Sequence, residues 1–201
     1  LVAANPGVID LEMGLPAGKD PRDGKRVAPR MDLVVAQRAD GARPSICFWE
    51  AKCANNPELR AKGEPKVLKQ VEKYVDWMAG DARIVQVRQA YRNTAVILLS
   101  LHRLFRASVG SVPESVAIWQ ALAEQEAPIA TVRPGIVIGN YWPEGCGDTI
   151  DSRSLMAQCA RSFAGNGHRD KLREAGIFVH EVGPDHGSPV LPFLPALGTP
   201  A

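Results

Sequence analysis

Apolar positions along this chain fall into short runs, and their spacing separates strands from helices. Met31 to Gln37 is a compact apolar run with one acid near its start, and it reads as a strand. Ser45 to Lys52 reads as a second strand. Ile46 and Phe48 point to one side and Cys47 and Trp49 to the other, so both faces are apolar and the strand belongs inside a sheet. Between the two runs, Arg38 to Pro44 contains Asp40-Gly41, a strong hairpin turn signal. Pro65 to Met78 carries Val67, Val71, Tyr74, Val75 and Met78 at helical spacing, with Pro65 in the first turn and Gly80 just past the end. Thr94 to Leu101 is apolar at nearly every position and is expected to be a buried strand.

The remaining elements follow the same logic. Val8 to Met13 forms a short helix or strand, and Pro16 to Lys25 is loop. Pro113 to Gln125 is a helix, and Ile129 to Tyr141 a strand region interrupted near Pro134-Gly135. Ser152 to Ala164 and Arg169 to Ala175 are helical, Ile177 to Val182 is a last strand, and the Pro- and Gly-rich tail after Gly183 is irregular. The order β-β-α-β-α-β-α-β predicts an α/β fold with a mixed β-sheet flanked by helices. One domain over residues 1–201 is expected, with a core at about 27–110 and a C-terminal α/β extension at about 111–201.

Composition narrows the picture only slightly. Apolar residues make up 45% and charged residues 23%, as in ordinary globular chains, and the net charge of +2 does not by itself argue for nucleic acid. No apolar run is long enough to span a bilayer. No secretory signal is visible, and a start at Leu1 rather than Met suggests a fragment or a processed chain. Cys47, Cys53, Cys146 and Cys159 form no C-x-x-C pair, which argues against zinc or an iron–sulfur cluster. Cys47 and Cys53 read as buried free thiols, in keeping with a reducing, cytoplasmic setting.

The candidate chemistry lies in the hairpin. A turn centred near Gly41 places Asp32 opposite Glu50 across the antiparallel ladder, on one face, with Cα atoms about 4.5–5.5 Å apart; a turn one residue off places the two acids on adjacent rungs unless a bulge restores the pairing. Opposed carboxylates repel, and a divalent cation removes that cost. Hard cations such as Mg²⁺ accept one or two carboxylates and complete their shell with water and phosphate oxygens. Lys52 projects to the same face as Glu50, where its ammonium can orient an attacking water or stabilise developing charge. Gln70 and Tyr74 stand four apart on the following helix and share a face. Gln70 can hold water or a phosphate oxygen, and Tyr74 can pack while its hydroxyl reaches a polar group.

Asp32, then Glu50-Ala51-Lys52, then Gln70-x-x-x-Tyr74 resembles the PD-(D/E)xK nuclease superfamily pattern D…(D/E)-x-K…Q-x-x-x-Y. Its last part is similar to the RecB-type exonuclease branch. The resemblance runs from about Val27 to Leu101 and implies a restriction-endonuclease-like α-β-β-β-α-β core. It implies Mg²⁺ or Mn²⁺ held by Asp32 and Glu50 with the main-chain carbonyl of Ala51, Lys52 placing the nucleophile, and Gln70 in support. It further implies phosphodiester hydrolysis, DNA favoured over RNA, in restriction, anti-phage defence or DNA repair. Such proteins often act as homo-oligomers or within larger assemblies. The chain departs from the pattern in having Pro29-Arg30-Met31 before Asp32, where that branch often has glycine. It also lacks the four-cysteine cluster of some members. Glu12 is the candidate for the extra acid that an upstream helix often supplies, and the residues after Pro113 match nothing in the pattern.

Plainer readings compete. Asp32, Glu50 and Lys52 could be ordinary surface charges, but an apolar run leads straight into Glu50, and buried charge needs a reason. Gln70 could be a surface residue, and Tyr74 and Trp77 read as core. His102, His168, His180 and His186 are scattered, and His180 and His186 near Glu181 and Asp185 read as solvated rather than as a metal cluster. Neither a serine nucleophile motif nor a phosphate loop is present. Lys62, Lys66, Lys69, Lys73, Arg83, Arg88 and Arg92 form a basic stretch that serves equally as a solvated face or a phosphate-binding one. The alternative function is a catalytically inactive binding or scaffold module that keeps the fold and works with a partner. An unrelated α/β hydrolase would need a nucleophile motif that the sequence lacks.

Overall fold

The computed structural model describes residues 1–14, 18–19, 24, 26–27, 30–37, 44–54, 56–59, 63–105, 114–124, 133–139, 167–183 and 187–194. Its main sheet has five strands: β1 (Val8–Gly14), β4 (Arg30–Gln37), β5 (Ser45–Cys53), β6 (Gly135–Gly139) and β7 (Val179–Val182), lying side by side in that order. β1, β4 and β5 form an antiparallel meander; β6 and β7 add in parallel beyond β5. Two short strands, β2 (Gly18–Lys19) and β3 (Arg26–Val27), pair separately. The described helices are α1 (Val67–Met78), α2 (Asp81–Phe105), α3 (Glu114–Glu124) and α4 (His168–Glu174). The fold is therefore mixed α/β, as the order of elements predicts.

The alternation along β5 holds. Ile46 and Phe48 join β4 residues Val34 and Ala36 under Tyr74 and Met78 of α1, Val87, Tyr91 and Ala95 of α2, and Leu122 of α3. Cys47 and Trp49 turn to the opposite face with Leu33, Val35, Val137 and Val182, where Leu191 and Leu194 cover them. That covering segment is tied down by amides: Asn5 donates to the Pro189 carbonyl at 2.8 Å and Gln37 to that of Pro192 at 2.8 Å. A third cluster packs Val67 and Val71 of α1 against Ile136 and Ile138 of β6 and Leu172 of α4. α1 thus straddles the β5–β6 region, which is what brings its polar face over the end of β5.

Three expectations are corrected. Thr94 to Leu101 is not a strand but the later half of α2. Its run is apolar at nearly every position, so periodicity cannot separate strand from helix. The deciding fact is that no Gly or Pro interrupts Asp81 to Phe105. Val87, Tyr91, Ala95 and Leu99 recur every four residues on the buried side. The hydroxyls of Thr94 and Ser100 bond back to the carbonyls of Ala90 and Val96, which removes their objection to a helix. Second, the strand that joins β5 is β6, so the sheet draws on residues well past 110. Third, Cys53 is exposed, whereas Cys47 is buried and its thiol is pushed up to about 12 by burial. Val8–Gly14 resolves as a strand, not a helix. The hairpin turn at 38–43, the helix expected at Ser152 to Ala164, Cys146, Cys159, Lys62 and His186 lie outside the described residues.

Candidate active site

The register between β4 and β5 is the one expected from the sequence: Gln37 pairs with Ser45, and so on to Leu33 with Trp49. The pairing ends at Leu33 and Trp49, and the same register carried one residue further would set Asp32 against Glu50. There the regular ladder gives way, and the Ala51 N–H donates to Asp32 Oδ2 at 2.8 Å. The N–H and C=O of one strand residue leave on the same edge. The Ala51 carbonyl therefore also projects toward β4 and Asp32.

Glu50 is the centre of the cluster. It shares the face of Ile46 and Phe48 and is 1% exposed. An ionised carboxylate in such a place needs donors, and the structure supplies three. Lys52 Nζ lies 2.6 Å from Oε1, Gln70 Nε2 donates to Oε1 at 2.7 Å, and the Tyr74 hydroxyl lies 3.0 Å from Oε2. Gln70 also donates to the Tyr74 hydroxyl at 2.6 Å. Both amide hydrogens of Gln70 are thereby used, and its carbonyl end meets no partner among the described residues. The Tyr74 hydroxyl also reaches the Arg30 carbonyl, so its single proton serves either that oxygen or Glu50 at any moment.

Burial, then the nearby negative charge of Asp32, outweighs the pull of Lys52 and Tyr74 and pushes the Glu50 carboxyl up to about 7. Burial works against the charge on Lys52, but its bonds to Glu50 and Glu58 prevail and hold its ammonium above the ordinary lysine range. Tyr74 is pushed up by burial and by the Glu50 charge.

All five residues picked out by sequence therefore meet: Asp32 beside Ala51, and Lys52, Gln70 and Tyr74 on Glu50. One that sequence reasoning passed over joins them: Glu58 Oε2 lies 3.1 Å from Lys52 Nζ. No spacing signals it, because its approach depends on how the short turn Pro57–Leu59 after β5 folds back. Glu12 does not come to the cluster; its carboxylate sits 3.5 Å from Arg30 and both are exposed. His180 lies in β7 and meets the Ser188 carbonyl at 2.9 Å, far from any acid cluster role.

Among the described residues no group of three or more His, Cys, Asp or Glu side chains is arranged to hold a metal. The donor set here is two carboxylates and one peptide carbonyl, all hard oxygens. That suits Mg²⁺ or Mn²⁺, which take the rest of their shell from water and phosphate, and does not suit zinc. The upward push of Asp32 on Glu50 is the repulsion that a cation between them would relieve. No family model matches the sequence, and no curated protein or solved structure matches it either.

Proposed function

We propose that this chain is a metal-dependent nuclease of PD-(D/E)xK type that hydrolyses phosphodiester bonds. The observation that carries the reading is the convergence on Glu50. A buried carboxylate feels the charge of Asp32 and is held by Lys52, two residues along its strand, and by Gln70 and Tyr74, one helical turn apart on α1. The sheet supports the reading in part: β1, β4 and β5 run antiparallel and β6 adds in parallel, but among the described residues three α-helices lie between β5 and β6 and none precedes β1.

Asp32, Glu50 and the Ala51 carbonyl would hold the ion. Bound there, Mg²⁺ or Mn²⁺ supplies an acidified water and neutralises charge on the phosphate. Lys52 offers an ammonium that remains charged beside the reacting phosphate and donates to the incoming oxygen or to the phosphate. Gln70 fixes Glu50 with one amide hydrogen and Tyr74 with the other, and keeps a carbonyl for water. Tyr74 locks Gln70 and Glu50 from behind. The resemblance favours DNA over RNA and a setting in restriction, anti-phage defence or repair, within an oligomer or larger assembly, and the free cysteines fit a reducing, cytoplasmic one. No described helix is long and apolar enough to cross a membrane.

One observation favours the alternative, an inactive nuclease-fold module that works with a partner. The donors around Glu50 already form a closed network, which is also what a structural buried acid needs. Cleavage of labelled single- and double-stranded DNA and RNA with Mg²⁺, Mn²⁺ or EDTA separates the two. The nuclease cuts only with metal, and Lys52→Ala slows it roughly 100- to 1,000-fold. A folded wild type that cuts none of these substrates favours the module.

A further inference from the structure

Glu58 belongs to no part of the sequence pattern, yet its carboxylate is aimed at Lys52. The backbone that carries it is fixed at both ends. After β5, the Asn56 side chain accepts from the Glu58 N–H at 2.8 Å, and the Glu58 carbonyl accepts from Lys66 N–H at 2.9 Å, at the start of α1. The next residue, Leu59, is fully buried in the cluster under α1. A short 3₁₀ turn, Pro57–Leu59, thus presents one side chain outward over the end of β5.

The consequence falls on the three N–H donors of the ammonium. One goes to Glu50 Oε1 at 2.6 Å and one to Glu58 Oε2 at 3.1 Å. The third has no partner among the described residues. Two carboxylates on different elements fix both the position of Nζ and the direction of that third donor. Held by Glu50 alone, a four-carbon lysine stem could swing about a single contact. Glu50 is also the residue that would share its oxygens with a metal. A second anchor keeps the ammonium in place when that happens.

We infer that Glu58 is a positioning residue, holding the Lys52 ammonium in register with Glu50 so that its third N–H serves the reacting water or phosphate; this rests on the nuclease reading above. Glu58 touches no reacting atom in this role. Its side chain is 44% exposed, and its two backbone bonds do not involve that side chain, so Glu58→Gln and Glu58→Asp should fold.

The test uses the full chain labelled with ¹⁵N-lysine and free of metal. Exchange of the Lys52 ammonium protons with water is followed by NMR, the signal being assigned by its loss in Lys52→Arg. Glu58→Gln should speed that exchange about 5-fold, the loss of one partly exposed ion pair, and Glu58→Asp should recover part of the protection. In cleavage assays Glu58→Gln should lower kcat roughly 10-fold with KM unchanged. Unchanged exchange in a folded Glu58→Gln protein overturns the inference, whether or not the wild type cuts. Loss of Mn²⁺ binding in Glu58→Gln with unchanged exchange also overturns it, since Glu58 would then be an ion ligand. A wild type that cuts nothing defeats the nuclease reading instead, while the exchange rates still decide whether Glu58 holds Lys52.

Discussion

Glu50 binds its proton more tightly in the folded chain than in the unfolded one, with a carboxyl pushed from 4.5 to about 7. Between those values the folded state keeps a proton that the unfolded state has released. Stability therefore falls as pH rises through that window, and the cost is complete above pH 7. A shift of this size corresponds to on the order of 3 kcal/mol. Glu50→Gln removes the cost. In metal-free urea titrations its stability relative to wild type should improve by on the order of 3 kcal/mol from pH 4 to pH 8. A difference that stays flat with pH would mean that Glu50 is not buried as described. Tyr74→Phe is the complementary residue-scale change. It removes the hydroxyl that joins Gln70, Glu50 and the Arg30 carbonyl, and should cost about 1–3 kcal/mol in the same titrations. Three relations at this site were legible because each depends on local geometry alone. Residues 50 and 52 share a strand face, 70 and 74 share a helix face, and the hairpin turn sets 32 against 50. Glu58 was not legible, because its approach to Lys52 depends on how a short turn folds back.

The elements divide along the same line. β4, β5 and α1 were readable from alternation, turn chemistry and four-residue spacing. α2 was misread where an all-apolar stretch carries no period. β6 was readable as a strand, but not as the neighbour of β5, since that pairing joins residues more than eighty positions apart in the chain. Once paired, its register is tightly constrained. Gly135 lies opposite Trp49, and a Cβ there would meet the indole atoms Cζ3 and Cε3 at 2.7 and 2.8 Å. Trp49 is fully buried, packed edge-on against Phe178, and cannot swing aside. Gly135→Ala should destabilise the chain by about 1–3 kcal/mol, read as a lower urea midpoint. An unchanged midpoint would show that β6 does not sit this close to β5.

At the scale of the whole molecule, the core and the site are one arrangement. α1 packs its apolar stripe into two clusters, and the polar stripe between them, Gln70 with the Tyr74 hydroxyl, closes over Glu50. The meander holds the acids, the parallel strands flank them with Ile136 and Ile138, and the 3₁₀ turn before α1 brings Glu58. A cation bound between Asp32 and Glu50 would bind the folded chain and not the unfolded one. Mg²⁺ or Mn²⁺ at about a hundred times its dissociation constant should then add roughly 2.7 kcal/mol of stability. Thermal unfolding with and without metal reads this directly, and Glu50→Gln should lose most of the gain.

The most direct test of the central claim is Mn²⁺ binding followed by electron paramagnetic resonance in wild type, Asp32→Asn and Glu50→Gln. A saturable site is expected in the folded wild type, and either substitution should remove it with the variants still folded. Mn²⁺ that binds equally to all three proteins, or to none, would contradict it and leave Glu50 a structural acid.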